Sequence, residues 1–362
     1  MKKAESYYFR DGLRCVIPNY KVLQTDVKGR WVGQTLKQLF TTEFKHISVE
    51  EAKRQIEGGI MYIKRKDGTV VKSLDVTIEE HDILVSRIHA HEPPVPDHHI
   101  DIIEDTDEYL VINKPAGIPV HPTGRYMYNS IITILKEEGK YNDLKLVYRL
   151  DKNTSGVLVL AKTKRIAQKF QKALRDKTVG DFQEIEKIYL ARVVGEFPET
   201  LVVDKPIHLV VFGTEQQHHV SDEGISAKSG FKRIFYDKAS DTSVVECVPY
   251  TGRTHQLRLH LKSVGHPIAN DSAYLLEHIH NTRTRDGDTE QELAMRTKYG
   301  WVFDEFCEDC NCPKGDPLEH LIWLHAWKYS IEGKTWVANV PEWAKSTYDA
   351  KGGLEKWHKI IE

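Results

Sequence analysis

Tyr148-Arg149-Leu150-Asp151-Lys152-Asn153-Thr154-Ser155-Gly156 runs directly into the apolar stretch Val157 to Ala161. A polar loop of Asp, Asn, Thr, Ser and Gly closing on a short apolar run reads as a turn that feeds a strand. A lone Asp in such a loop is usually a turn former whose carboxylate accepts local N–H bonds. The functional reading is an ionised carboxylate aimed into a cleft. Its ordinary pKa of about 3.9 leaves it charged at neutral pH, ready to act as nucleophile or base. The loop by itself leaves both readings open.

Outward from this loop the chain is strand-rich, with Tyr109 to Ile112, Ile188 to Val194 and Val244 to Val248 all patterned as strands. Helical patterns separate them. Asn129 to Lys136 has Asn129 as its cap and Gly139 as its stop. Lys164 to Arg175 sets Ile166, Phe170, Ala173 and Leu174 on one face, with Lys164, Arg165, Lys169, Lys172 and Arg175 around the rest. The last strands are Leu321 to His325 and Trp336 to Val340, after a charged insertion at about 275–319.

Upstream, Lys28 to His91 is self-contained. Leu36, Leu39, Phe40 and Phe44 fall at helical spacing, and Ser48 with Glu51 reads as a capping box for a second helix. Short strands follow from Ile60. His91-Glu92-Pro93-Pro94-Val95-Pro96 then reads as an extended spacer, because three prolines in four residues exclude helix. The expected division is an extension at 1–27, a small α/β domain at 28–91, a linker at 92–99, a main domain at 100–345 and a tail at 346–362.

The chain has 362 residues, 40% of them apolar and 29% charged, which suits a globular protein with a sizeable core. No apolar stretch is long enough to span a bilayer and the start lacks a signal-peptide pattern, so the expected compartment is the cytoplasm, with the nucleus as the alternative. The net charge of −2 hides an uneven distribution: residues 145–180 carry 10 Lys/Arg against 2 Asp/Glu, and residues 277–319 carry 5 against 11. A basic centre is what an RNA ligand would need.

There is no phosphate-binding Gly loop of either common type, so nucleotide-cofactor chemistry has no sequence support. Cys307, Cys310 and Cys312 are candidate ligands for a structural zinc, with His320 or His325 to complete a tetrahedron. Against this, a strong zinc site has two Cys pairs and this has one. Reduced thiols are the equal alternative.

Two further segments join the loop. Glu186 to Gly195 is an alternating strand carrying Tyr189, which alone is ordinary β composition. Tyr250-Thr251-Gly252-Arg253-Thr254-His255-Gln256-Leu257-Arg258 is a turn leading into a helix whose leucines limit how far it faces water. An Arg on such a helix needs an anionic partner, and Asp151 would serve.

Arg149-Leu150-Asp151 with Thr154-Ser155-Gly156, Tyr189 in Tyr-x-Ala-x-Val-x-Gly, Thr251 to Arg258, and Gly265-His266-Pro267-Ile268 with Asp271 together resemble the RluA-type pseudouridine synthases. Lys114-Pro115-x-Gly117-x-Pro119-Val120-His121-Pro122 matches the opening of that family's catalytic domain, and residues 28–90 resemble the S4 RNA-binding module. The first residues, Tyr7 to Arg14 and Lys28 to Gly33, resemble the eukaryotic branch that includes the tRNA uridine-32 synthases. One departure is Tyr148, where the family usually has His.

The resemblance implies an α+β fold, a mainly antiparallel central sheet with flanking helices and a catalytic cleft, preceded by the S4-like module. It implies isomerisation of uridine in tRNA by base flipping, with no cofactor required, in a monomer. Asp151, Tyr189 and Arg258 would be catalytic, with Arg258 paired to Asp151. Arg149, Thr154, Ser155, Gly156, Arg253, His255, Gln256 and Leu257 would bind substrate. Lys28, Arg30, Lys164, Arg165, Lys169 and Lys172 would hold RNA phosphates. The competing reading is a non-catalytic S4-type RNA-binding protein, which would not retain Asp151, Tyr189 and Arg258 together.

Overall fold

The computed structural model describes residues 7–44, 47–139, 141–176, 185–212, 215–275 and 321–345. The described residues form two compact units, one of residues 17–91 and one of residues 7–16 with those from 92 onward. No helix among them is long and apolar enough to cross a membrane. Cys307, Cys310, Cys312 and His320 lie outside the described residues.

The smaller unit is a four-stranded antiparallel sheet with two helices. Its strands are β3 (Asn19–Asp26), β4 (Met61–Lys64), β5 (Val70–Val71) and β6 (Ile83–Ala90), in the order β3-β6-β4-β5. Helices α1 (Leu36–Thr42) and α2 (Val49–Glu57) bury Leu36, Leu39, Phe40, Ala52 and Ile56 against Trp31, Ile63 and Ile78. Ser48 caps α2 by accepting from the Glu51 N–H, but the Glu51 carboxylate turns to Gln55. The complete capping box is one helix earlier, at Thr35 and Gln38, where sequence reading did not place it.

The larger unit centres on a ten-stranded sheet in the order β13-β16-β17-β12-β18-β11-β9-β8, with β10 on β11 and β19 on β18. The strands are β8 (Asp101–Asp105), β9 (Tyr109–Lys114), β10 (Lys145–Leu146), β11 (Ser155–Ala161), β12 (Ile185–Val194), β13 (Thr200–Asp204), β16 (Lys228–Asp237), β17 (Thr242–Pro249), β18 (Leu324–Ile331) and β19 (Lys334–Val337). Between β13 and β16 stands a separate hairpin, β14 (Ile207–Phe212) and β15 (Glu215–Val220). Every pairing in the main sheet is antiparallel except β11 with β18.

That parallel pairing is only two residues long, Ser155 to His325 and Gly156 to Ala326. It joins the two halves of the sheet at the residues that follow the Asp151 loop. Gly156 has φ +108, and a Cβ on it would lie 2.2 Å from the Ala326 carbonyl oxygen. Only glycine fits this approach.

β11 is buried on both faces, which explains its unbroken apolar run. Leu158 and Leu160 pack with Ile131, Ile134 and Leu135 of α3 (Ile131–Glu137). Val157, Val159 and Ala161 pack with Ile166, Ala167 and Phe170 of α4 (Lys164–Asp176). Each fully buried Val, Leu, Ile or Phe among them contributes roughly 1.5–3 kcal/mol. Farther along, α5 (Gln256–Ser263) packs Leu257 and Leu261 on Ala191, Val193, Val245 and Cys247. A single turn, α6 (Ser272–Leu275), follows it.

The first residues and the proline stretch depart from the expected extension and linker. β1 (Tyr7–Arg10) and β2 (Leu13–Val16) form a hairpin around Asp11 and Gly12, both at positive φ, the two-residue turn that Asp-Gly favours. β2 pairs with β7 (Val95–Pro96), so the proline stretch is an edge strand of the larger unit and not a free spacer. Residues 19–26, assigned from sequence to the extension, are a strand of the smaller unit.

Candidate active site

Leu150 is buried in the core beside α3, and the Thr154 N–H returns to the Asp151 carbonyl at 3.1 Å, so Asp151 stands on a turn fixed at both ends. Lys114, at the end of β9 and fully buried, bolts the turn down. Its Nζ donates to the carbonyls of Pro115 (2.9 Å), Lys152 (2.9 Å) and Thr154 (2.8 Å), and the Gly117 N–H donates to the same Lys152 carbonyl. Burial draws the Lys114 pKa down to about 7, the charge of Asp151 opposing and that of Lys152 adding to it. The three carbonyls accept all three ammonium protons. Tyr148 secures the other flank, its hydroxyl donating to the Val157 carbonyl at 2.9 Å and its ring packed on Tyr329. A phenol therefore anchors the loop where the family motif has an imidazole.

The turn opens on a cleft of about 470 Å³. Arg149, Asp151 and Thr154 reach it from the loop, Tyr189 from β12, and Arg253, His255, Gln256, Leu257 and Arg258 from the start of α5. Lys152 and His121 also line it, and sequence reading gave neither a role. Tyr189 owes its direction to an irregularity: the β12–β18 register slips between Ile188 and Tyr189, and such a bulge re-aims a side chain. Burial, then the neighbouring Asp151 charge, raises the Tyr189 pKa and keeps the phenol protonated.

The Asp151 carboxylate is about one-third exposed, with His255 Nε2 at 3.8 Å and Arg258 Nη1 at 3.9 Å as its cationic or potentially cationic neighbours. Neither is close enough for a hydrogen bond. The expected Arg258–Asp151 pair is thus only a long contact. Arg258 commits its fork to Asp271, Nε to Oδ2 at 2.6 Å and Nη2 to Oδ1 at 2.8 Å, both side chains nearly fully buried. Burial works against the guanidinium charge, but the Asp271 bonds and charge prevail and raise its pKa. Asp271 neutralises Arg258, and the remaining amine points at an uncommitted carboxylate.

Four expected substrate residues have other work. Ser155 and Gly156 stand outside the cleft: Ser155 Oγ meets His325 Nδ1 at 2.8 Å, and Gly156 makes the close strand approach. Gln256 spends its amide inside the protein, accepting from Thr251 Oγ1 and the Arg253 N–H and donating to the Lys228 carbonyl and Ser229 Oγ. Leu257 belongs largely to the core. Arg149 and Arg253 remain exposed at the cleft, Arg253 steadied by the Ser226 carbonyl.

None of the six expected phosphate-holding residues is among those that line the cleft. Lys28 covers the Trp31 ring at 5.1 Å, whereas Arg30 is engaged in a two-bond pair with Glu43 at 2.7 Å each. On α4, Arg165 pairs with Glu108 and Lys169 with Glu332, while Lys164 and Lys172 are exposed.

The family model described as RNA pseudouridylate synthase matches residues 108–263, which include Asp151, Tyr189 and Arg258. The chain is 34% identical over 405 residues to the yeast tRNA pseudouridine(31) synthase, covering 95% of this chain and 98% of that one. The chain belongs to the RNA pseudouridylate synthase family. Within it, the motifs are those of the RluA type. The yeast mitochondrial tRNA pseudouridine(32) synthase is 35% identical over 375 residues, 92% of this chain and 77% of that one. The human pseudouridylate synthase RPUSD2 is 39% identical over 269 residues, where the chain spans only 47% of the relative's length. Asp271 lies just beyond the family match, in the Gly265 to Asp271 stretch that the sequence reading noted without a role.

Proposed function

We propose that this protein converts uridine to pseudouridine in tRNA, with Asp151 as the catalytic carboxylate. The observation that carries the reading is Asp151 itself: a carboxylate partly exposed in a cleft, held by a rigid turn, and left without a close cationic partner. A merely structural Asp would be expected to spend its oxygens on local N–H bonds or a tight ion pair.

In the proposed reaction the N1–C1′ bond of uridine breaks, the uracil turns while bound, C5 bonds to C1′, the C5 hydrogen leaves as a proton to solvent, and N1 takes up a proton. Asp151 attacks or takes a proton at the reacting nucleotide. Tyr189 stacks on the flipped base with its hydroxyl protonated. Arg258, held by Asp271, supplies positive charge beside the carboxylate. Flipping costs a few kcal/mol and least in a loop, so a loop uridine is the natural substrate. Arg149, Lys152 and Arg253 at the cleft would take the adjoining phosphates. The smaller unit is proposed to be an S4-like RNA-binding module, with Lys28 over Trp31 as a contact.

Position 32 of the anticodon loop is the uridine we favour. Its support is the resemblance of the opening residues and the name of one yeast relative, with the other relative named for the adjacent position 31. The cytoplasm is the compartment proposed, on the sequence reading alone. The test is pseudouridine mapping of total tRNA from cells lacking this protein. Modification of one anticodon-loop uridine should vanish and return with the wild-type chain but not with Asp151→Ala. Loss of a site elsewhere in RNA, with position 32 intact, would refute the assignment to that loop.

A further inference from the structure

We propose that Tyr274 is a positioning residue for this chemistry: its hydroxyl fixes His255 as the Nε2–H form, so that this N–H and Arg258 Nη1 face the Asp151 carboxylate together. The inference rests on the reading of Asp151 as the catalytic group and assigns what holds the two donors around it. Tyr274 lies on α6 and does not line the cleft. Its hydroxyl is 2.7 Å from His255 Nδ1, and its ring lies 4.7 Å from the guanidinium carbon of Arg258. Both neighbours of Asp151 therefore rest on one tyrosine.

The hydrogen bond to Tyr274 and the charge of Asp151 favour one pattern. His255 stands between a carboxylate 3.8 Å from Nε2 and a phenol 2.7 Å from Nδ1. A carboxylate 3.8 Å away lies beyond a hydrogen bond, but its negative charge favours the tautomer whose hydrogen is on the nitrogen that faces it. A neutral imidazole then has its lone pair on Nδ1, and the Tyr274 hydroxyl donates to it. Burial pushes the Tyr274 pKa up to about 12, which keeps that proton on the phenol.

The surroundings favour a neutral ring. Asp151 and Asp271 attract a proton, but Asp271 is bound to Arg258. Arg258 and His218 of β15, its ring 5.9 Å away, oppose one, and burial, the largest influence, lowers the His255 pKa. His255 is also the residue at the N-terminus of α5, where the helix dipole disfavours a cation. Its backbone is left-handed, φ 54, which places the ring in this gap at a cost that a turn-forming Asn would not bear.

The test uses the full chain. Its 18 histidines give one set of imidazole 15N resonances, and His255 is assigned by the signal absent from His255→Gln. We expect the Nε2–H form in the wild type and a mixture in Tyr274→Phe. On tRNA, Tyr274→Phe should lose about tenfold in kcat with KM roughly unchanged, as for a lost hydrogen bond near a charged group. The acidic limb of its kcat profile should move to higher pH, because an imidazole without the phenol donor takes a proton more readily. A purely structural tyrosine would not move that limb.

If Tyr274→Phe does not fold, two variants of His255 decide. Gln reaches the Nε2 position with an N–H, whereas Asn suits the left-handed backbone but falls short. His255→Gln should outperform His255→Asn. An Nδ1–H ring in the wild type, an unmoved acidic limb, or Asn outperforming Gln would each overturn the proposal. Failure of the functional reading is distinct: the wild type would make no pseudouridine, while the resonances would still report the tautomer.

Discussion

Arg258 and Asp271 form the closest charged pair in the site, and both side chains are nearly fully buried. Asp271→Asn leaves a buried guanidinium without its counter-ion, a loss of about 3–5 kcal/mol. Urea denaturation should show a far larger drop for this variant than for Asp151→Asn, whose carboxylate has no close partner; equal drops would contradict the pairing described. His325 gives a pH test. Burial lowers its pKa from 6.5 to about 4, so the folded state binds fewer protons than the unfolded one between those values. Stability is then full above pH 6.5 and is lost as pH falls towards 4, by about 3 kcal/mol. His325→Asn should flatten that part of the stability curve, and an unchanged slope would show that the imidazole titrates normally. Asp151, Tyr189 and Arg258 could be singled out in the sequence because their motifs are local, and the fold brings the three to one cleft. That Arg258 answers to Asp271 could not be read there, because both carboxylates were available to it and only folding chooses.

At the scale of elements, the site depends on two places where the sheet departs from regularity. One is the bulge at Tyr189, the other the short parallel join at Gly156. Gly156→Ala puts a methyl 2.2 Å from the Ala326 carbonyl oxygen at φ +108, so we expect at least about 3 kcal/mol of destabilisation and a displaced Asp151 loop. Thermal denaturation checks the first and turnover the second; a stable, active variant would mean that the join is loose. β11 and the flanking helices were readable from their apolar patterns. The strands β3 and β15 were not, for a physical reason. β3 is a mostly exposed edge strand, and β15 belongs to an isolated hairpin rich in Gln and His, so neither displays the apolar alternation that marks a half-buried strand. Pro93 to Pro96 misled in the opposite direction, since an edge strand tolerates proline.

For the molecule as a whole, the order of the chain is the unexpected feature. Residues 7–16 belong to the larger unit, the chain leaves it at Val16 and returns at Glu92, and the strands on either side of that departure pair with each other. In chain order, residues 17–91 are thus an insertion between two paired strands of the larger unit. Replacing residues 17–91 by a short Gly-Ser segment should leave a folded chain with residual activity on a short stem–loop. Its affinity for tRNA and the salt dependence of that affinity should both fall, since phosphate contacts are lost. An unchanged salt slope would remove the smaller unit from RNA binding. The central claim, that Asp151 performs the isomerisation, is tested most directly by tritium release from a tRNA transcript carrying [5-3H]uridine. Purified wild-type chain should release tritium. Asp151→Asn should release none while its affinity for the transcript changes by less than about tenfold, because the carboxylate acts in chemistry and not in holding phosphates. Measurable release by the Asn variant would contradict the account.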